Sequence, residues 1–404
     1  MAFSEALTQN SDVQPGTMKK IHVVGGARPN FMKIAPLVRA LQAHGGLAFK
    51  IIHTGQHYDW EMSDVFFQEL GIPSPDFHLE AGSGSHAQQT ARVMVAFEEV
   101  CLRERPDAVV VVGDVNSTLA CSIVAKKLHI AVAHVEAGLR SGDLRMPEEI
   151  NRIVTDAITD WCFVTEPSGV ANLLREGKPR DRVFHVGNIM IDTLFHQRDR
   201  LLHMDPTTLA STVLKQRSSR YGVVTLHRPS NVDNAATLTG IAAALSRISE
   251  RIPLVFPVHP RTRENLKRFG IALTGGVFLT NPLSYMEFLN LWTDAKLILT
   301  DSGGLQEEST ALGVPCLTIR DNTERPVTVE EGTNVLVGTR PSRIVEEANR
   351  ILSAHGRPFR RPALWDGQSA VRIVDILAAL ISESAERIHR NTPVQFTSGM
   401  CNFA

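Results

Sequence analysis

Residues Ala108–Glu136 read AVVVVGDVNSTLACSIVAKKLHIAVAHVE, and this stretch decides the fold. AVVVV is a continuous apolar run rather than an alternating one, which suits a strand covered on both faces. STLACSIVAKKL has helical spacing, and IAVAHVE is a second unbroken apolar run. A strand, a helix and a strand in succession predict a parallel βαβ unit. Working outward, IHVV (21–24), FKIIHT (49–54) and WCFVTE (161–166) extend the same rhythm, with PLVRALQAHG (36–45) as another helical pattern. After the polar stretch DPTTLASTVLKQRSSR (205–220) the rhythm restarts. It gives YGVVTLH (221–227), IPLVFPVH (252–259), GVFLTN (276–281), KLILTD (296–301) and PCLTIR (315–320). The expectation is an α/β chain of two similar doubly wound domains with a cleft between them.

The composition agrees with that and excludes other classes. At 404 residues the chain has room for about two domains. Its 42 Lys plus Arg balance 43 Asp plus Glu, a net charge of −1, so it lacks the basic surplus of a general nucleic-acid binder. The five cysteines lie far apart without a CxxC pair, which argues against a structural zinc or a disulfide framework. No apolar run approaches the ~18 residues of a membrane span, and the opening MAFSEALTQNSDVQPGTMKK lacks the apolar core of a signal peptide. A cytoplasmic protein with no membrane partner is expected, with a disordered tail over 1–17 and a loose tail over 390–404.

In open parallel sheets ligands sit beyond the carboxyl ends of the strands, so the residues after each run are the ones to inspect. Asp301–Gly304 reads DSGG between a strand and a helical stretch. Ser302, Gly303 and Gly304 give a backbone that can approach a phosphate at a helix N-terminus, or simply an N-cap and a turn. Glu307 and Glu308 follow one turn on, where a carboxylate can accept ribose hydroxyls. Gly25–Pro29 (GGARP) also joins strand to helix, and Arg28 and Lys33 place two cations near that end, against the helix dipole. A diphosphate or a protein carboxylate would compensate. Asp114, Glu136 and Glu148 are carboxylates at one sheet edge, the last expected to share a helix face with Arg152. Each alone is an ordinary cap or ion-pair partner; together they suit acid and base work. His227 and His259 end equivalent strands of the second half. Gly82–Ala87 (GSGSHA) formally matches a dinucleotide motif, but no good strand precedes it and no acid-tipped strand follows. Metal-ligand spacings such as H-E-x-x-H are absent as well. No redox cofactor and no metal are expected.

Taken together, GGARPNFMKIAP, HVEAGLRSGD, PEEINR, TLHRPSN, LTDSGGLQEES and GVPCLTIRDNTERP resemble the non-hydrolysing UDP-N-acetylglucosamine 2-epimerases, in the same order from about Met18 to about Leu380. The resemblance implies a GT-B-type arrangement: two Rossmann-like domains facing across a cleft, with a final helix returning to the first. The expected boundaries are 18–188 for the first domain, 189–367 for the UDP-binding second, and about 368–388 for the returning helix. By the same resemblance Asp114, Glu136, Glu148 and His227 are catalytic. Arg28 and Lys33 belong to the active-site loop. His259, Ser302, Gly303 and Glu308 contact UDP, and Arg320, Thr323, Glu324 and Arg325 fall in the loop that meets the sugar. Gln56 and His57 keep part of the segment where bacterial members bind a second, activating UDP-N-acetylglucosamine, although the EAGSGSHAQQT loop departs from their form. Asn30 stands where many members carry Glu. The implied partner is a UDP-sugar and a second copy of the chain. Relatives acting on a 2,3-diacetamido uronic acid nucleotide, hydrolysing epimerases, GT-B glycosyltransferases and a catalytically inactive sugar-nucleotide sensor remain the alternatives.

Overall fold

The computed structural model describes residues 18–55, 67–216, 218–353 and 359–391. The expected tails and the Gln56–His57 segment fall outside them, apart from the last turn of the C-terminal helix.

Two parallel sheets form. The first orders its strands β3-β2-β1-β4-β5-β6-β7, with β1 Lys19–Gly25, β2 Leu47–His53, β3 Phe77–His78, β4 Ala108–Val112, β5 Ala131–Ala137, β6 Trp161–Val164 and β7 Val183–His185. The second runs β10-β9-β8-β11-β12-β13, with β8 Gly222–Thr225, β9 Leu254–Pro257, β10 Val277–Thr280, β11 Leu297–Thr300, β12 Cys316–Thr318 and β13 Asn334–Leu336. Each sheet runs outward from its first strand in one direction and then in the other. The chain therefore reverses between β1 and β4 in one sheet and between β8 and β11 in the other. At such a switch point adjacent loops diverge and leave a crevice for a ligand.

The central strands are apolar because helices cover both faces. All five residues of β4 are buried, and Val110 and Val112 face one core while Val109 and Val111 face another. The second sheet divides in the same way, with Val224, Leu254 and Leu299 on one side and Val223, Val255 and Ile298 on the other.

The C-terminal helix Ser369–Asn391 joins the core of the first sheet through Ile373, Val374, Leu377 and Ile381, beside Leu37, Val38 and Leu41 of the helix Arg28–His44. The return is fastened where the chain crosses. Asp192 accepts hydrogen bonds from the backbone N–H groups of Ser369 and Ala370 at 3.2 and 2.7 Å. Arg372 donates to the Val186 carbonyl at 3.0 Å, and the Trp365 indole donates to the Thr165 carbonyl at 3.2 Å. Gly187, at φ 88°, lies so close to Leu364 that a Cβ would stand 2.0 Å from its carbonyl oxygen. Leu377 is 1% exposed, and its truncation leaves a cavity where the helix seats. Leu377→Ala is expected to lower the free energy of unfolding by about 2–5 kcal/mol, measured by urea denaturation, with UDP affinity unchanged.

Candidate active site

The loops after β1, β4 and β5 meet at Gly113, whose φ of 71° needs no side chain. A Cβ there would lie 3.1 Å from Lys33 Nζ, 3.3 Å from Asn30 Nδ2 and 3.5 Å from Glu136 Oε2. Lys33 and Glu136 form a buried ion pair. Of the two readings of the cations beside GGARP, the protein carboxylate is the one realised for Lys33; the Arg28 side chain lies outside the described residues. Asn30 works on the backbone instead. Its Oδ1 accepts from Gly26 and Ala27 N–H at 3.1 and 3.0 Å, and its Nδ2 donates to the Val112 carbonyl at 2.9 Å, so it ties the GGARP turn to the end of β4.

Glu136 leaves β5 at φ 71°, a left-handed conformation that costs an L-residue roughly 1–2 kcal/mol. Such strain persists where surrounding bonds over-determine it. Asp114 is partly exposed and bonded by Arg152 Nη2 at 2.8 Å. One expectation is corrected here. Arg152 pairs with Glu149 and Asp114, and in the first turn of the helix Pro147–Ile158 it is Glu149, not Glu148, that is buried. Glu149 accepts from the N–H groups of Ser141 and Gly142 at 2.9–3.0 Å. Those loop N–H groups need an acceptor that only the inward-facing acid can supply, while Glu148 stays half-buried.

On the second sheet Asp301 is fully buried at the end of β11. It accepts from the His227, Arg228 and Asn231 nitrogens at 2.9–3.2 Å, and its Oδ1 lies 3.1 Å from His227 Nδ1. Burial pushes its carboxyl up, but these bonds more than offset that and hold it below the usual range. The Asp thus fixes the His227 ring and leaves Nε2 free to point elsewhere. His259 lies 6.2 Å from His227, ring to ring, and caps its own helix, with Nδ1 accepting from Arg261 N–H at 3.3 Å. Ser302 occupies the N-cap of the helix Gly303–Leu312, yet its side chain makes no cap bond. The first-turn N–H groups of that helix are therefore not taken by a protein side-chain cap, as an anion site requires.

The two halves meet through charge. Arg325, after β12, lies 2.7 Å from Glu307 Oε1, 3.6 Å from Glu324 Oε2 and 3.9 Å from Glu136 Oε1. Glu307 also accepts from Asn188 Nδ2 at 2.8 Å. Burial pushes the Glu307 carboxyl up and neighbouring Glu136 adds to it, against Arg325. Glu308 is pushed up to about 7 by burial, although the Tyr285 hydroxyl donates to it at 2.9 Å. Arg320 and Glu324 are buried and bonded to each other at 2.8 and 3.0 Å, so they frame the loop. Thr323 accepts from Arg325 N–H at 3.1 Å and donates to Gln306 at 2.7 Å. Gly303 lies under Arg325, 3.2 Å from where a Cβ would stand, while Gly304 faces open space.

Glu166, after β6, is buried beside this cluster, and burial raises its pKa from the ordinary 4.5 to about 7. The folded protein holds that proton more tightly than the unfolded chain does. The group is neutral in both states below about pH 4.5 and costs stability progressively as pH rises from there through about 7. Glu166→Gln should remove that slope. Relative to the parent protein it should gain up to about 3 kcal/mol between pH 5 and pH 8, read from urea melts at the two pH values.

Sequence reasoning placed Lys33, Glu136, His227 and the Ser302 helix at the site. It passed over Asp301 and Glu149. Asp301 was readable as the acid in DSGG; Glu149 carries no signal beyond standing beside Glu148.

Residues 39–378 match the family model for UDP-N-acetylglucosamine 2-epimerase. The chain belongs to the UDP-N-acetylglucosamine 2-epimerase family. It is an isomerase by that membership, and its two Rossmann-like domains have the GT-B-like arrangement of the family's solved structures. The UDP-N-acetylglucosamine 2-epimerase of Methanocaldococcus jannaschii is 42% identical over 364 residues, covering 89% of this chain and 98% of that protein. The crystal structure of that enzyme in complex with UDP-GlcNAc and UDP aligns with a TM-score of 0.80 and 41% identity, over 89% of this chain and 99% of that one. The UDP-2,3-diacetamido-2,3-dideoxy-D-glucuronate 2-epimerase of Pseudomonas aeruginosa is 41% identical, covering 89% of this chain and all of its own.

Proposed function

We propose that the protein interconverts UDP-N-acetylglucosamine and UDP-N-acetylmannosamine by eliminating UDP from carbon 1 with the carbon 2 proton, then adding UDP back to carbon 1 while carbon 2 is protonated on its other face. The observation that carries this is the opposition of two groups across the cleft. A buried carboxylate, Glu136, is pinned by Lys33 on the first sheet, and a helix N-terminus without a side-chain cap stands at Ser302 on the second.

Carbon 2 of such a sugar bears an amide nitrogen and no adjacent carbonyl, so its proton is not acidic. Departure of UDP from carbon 1 gives oxocarbenium character that acidifies it. Loss of the proton then yields 2-acetamidoglucal and UDP, and re-addition with protonation from the opposite face gives the epimer. Removal on one face and delivery on the other calls for two acid–base groups. Asp114 and Glu136 fill those roles, with Glu148 supporting. The backbone N–H groups of Gly303 and Gly304 with the Ser302 hydroxyl, together with Arg28, hold the diphosphate as its charge grows, and His227, oriented by Asp301, meets the leaving oxygen. His259 and Glu308 take the nucleoside, Glu308 accepting from the ribose. Arg320, Thr323, Glu324 and Arg325 form the loop facing the sugar.

The P. aeruginosa relative matches this chain about as well as the M. jannaschii one does, which supports a 2,3-diacetamido uronic acid nucleotide as the second reading. We further propose a homodimer, supported by the exposed apolar residues Val95, Leu102, Leu144 and Ile150 on the first domain. Gln56 and His57 are proposed to hold an activating second UDP-sugar.

Incubation with UDP-N-acetylglucosamine in D₂O, followed by proton NMR, tests the reaction. Loss of the carbon 2 proton signal with both epimers at a constant ratio is the expected result. Accumulating free N-acetylmannosamine with UDP would make the enzyme hydrolysing. Exchange only with the diacetamido uronic acid nucleotide would establish the second reading.

A further inference from the structure

β5 slips register beside β6 at Glu136: Val135 pairs with Phe163 and Ala137 with Val164, which leaves Glu136 as the extra residue. Gly138 follows at φ 82°. Two buried groups beneath this kink have no part in the chemistry above. His134, with no exposed surface, places Nδ1 2.6 Å from Asp156 Oδ1 and Nε2 2.8 Å from the Gly113 carbonyl oxygen. Asp156, on the helix Pro147–Ile158, uses Oδ2 to accept from the Gly138 N–H at 3.0 Å and from Arg140 Nη1 at 2.8 Å. Arg140 passes on to Glu176 at 2.6 and 2.9 Å.

A carbonyl oxygen and a carboxylate oxygen only accept, and the His134 ring spans one of each, the Gly113 carbonyl and Asp156 Oδ1. Asp156 must serve the imidazole, a backbone N–H and a guanidinium together, which an ionised carboxylate does with its two oxygens. The Asp156 carboxylate is paired with the Arg140 guanidinium, and Arg140 in turn with Glu176, so the buried charge does not stand alone. The bonds from this chain end on Gly113, the residue before Asp114, and on Gly138, two residues after Glu136. They bracket both carboxylates and hold the strained turn between them.

We propose that His134 and Asp156 are positioning residues for the epimerisation, clamping the backbone at Gly113 and Gly138 so that the Asp114 and Glu136 carboxylates keep a fixed separation. The inference rests on the reading that these two carboxylates move the carbon 2 proton. Without the clamp the kink at Glu136 relaxes toward extended backbone, and the carboxylate leaves Lys33. Displacement of a reacting group by about 1 Å costs on the order of 10²-fold in rate.

Asp156→Asn tests it. An asparagine has one acceptor oxygen for three donors, so Gly138 or His134 loses its partner. The expected result is a kcat lower by about 10²-fold, with carbon 2 deuterium wash-in falling in step. KM and the calorimetric Kd for UDP should stay within about threefold, because the Ser302 cradle lies on the other sheet. In the Glu136→Gln background the same substitution should cost less than about threefold more, since it acts through that residue. Full turnover by a folded Asp156→Asn beside an inactive Glu136→Gln overturns the inference alone, as does an additive loss in the double variant. Full turnover by Glu136→Gln overturns the catalytic assignment and the inference with it. Should Asp156→Asn fail to fold, ¹⁵N NMR of the histidine rings in the unmodified protein decides, the His134 ring being told from the equally buried His22 by its Overhauser contacts to Gly113 and Asp156. Hydrogen bonds from the ring to both Asp156 and the Gly113 carbonyl support the clamp; a ring lacking either one overturns it.

Discussion

Glu136→Gln should leave a folded protein that binds UDP and no longer turns over, with kcat reduced by about 10³-fold. The magnitude follows from general acid–base catalysis, which contributes about 10²–10⁴-fold, placed here in the upper part of that range because the group is buried and faces the cleft. Glutamine keeps the shape and one acceptor, so the packing around Gly113 survives. It cannot exchange a proton. Lys33 would lose its anionic partner, a destabilisation that thermal melting can separate from the catalytic loss. The deciding measurement is carbon 2 deuterium wash-in beside calorimetric UDP binding. Wash-in at the parent rate would sink the assignment; loss of both wash-in and UDP binding would mean a general defect.

Arg325→Met should be the most damaging substitution for stability. The guanidinium sits among Glu307, Glu324 and Glu136; burial lowers its pKa, but these carboxylates outweigh burial and raise it. Removing one partner of a buried charge cluster costs about 3–5 kcal/mol because the remaining charges stay desolvated. The sign with pH is fixed by Glu307, whose pKa is already raised by burial and by Glu136. At low pH Glu307 can take up a proton and relieve the excess negative charge, so the loss should be larger at pH 8 than at pH 5. Urea denaturation at both values measures it, and equal losses would show that Arg325 acts by packing alone. Since the same side chain joins the two sheets, turnover should fall as well.

Much of this was legible in the sequence because the physics behind it is local. Strands covered on both faces must be apolar throughout, so AVVVV and LILT announced themselves. Parallel order requires helices between, and those were visible too. Strands β7 and β13 escaped notice because they hold three residues at sheet edges, too short to form a run; β3, in the stretch judged a poor strand, holds two. The candidate site divides in the same way. Residues at strand ends were found by position, as Glu136, His227 and Ser302 show. Choices that depend on the facing element were not. Glu148 and Glu149 are neighbours of equal charge, and only the Ser141–Gly142 N–H groups select the second. Nothing in GGARPN marks Asn30 as structural, and only the fold shows that it fastens a turn to β4. His134 reads as one more residue of an apolar strand until Asp156 is brought beneath it.

The double crossing of the chain has a mechanical consequence. The polypeptide passes from the first sheet to the second near Gly187 and returns near Leu364, and the two passages touch. Asp192, Arg372 and Trp365 pin them together. Two bodies joined by one strap can swivel in any direction, whereas two straps bound side by side work like the pins of a door. Opening about the line through both passages remains soft, while twisting about the long axis would shear packed backbone. Whatever widens the gap between Glu136 and Ser302 must therefore swing them apart along one arc and bring them back along the same one, so that each closure returns the acid and the phosphate cradle to the same register.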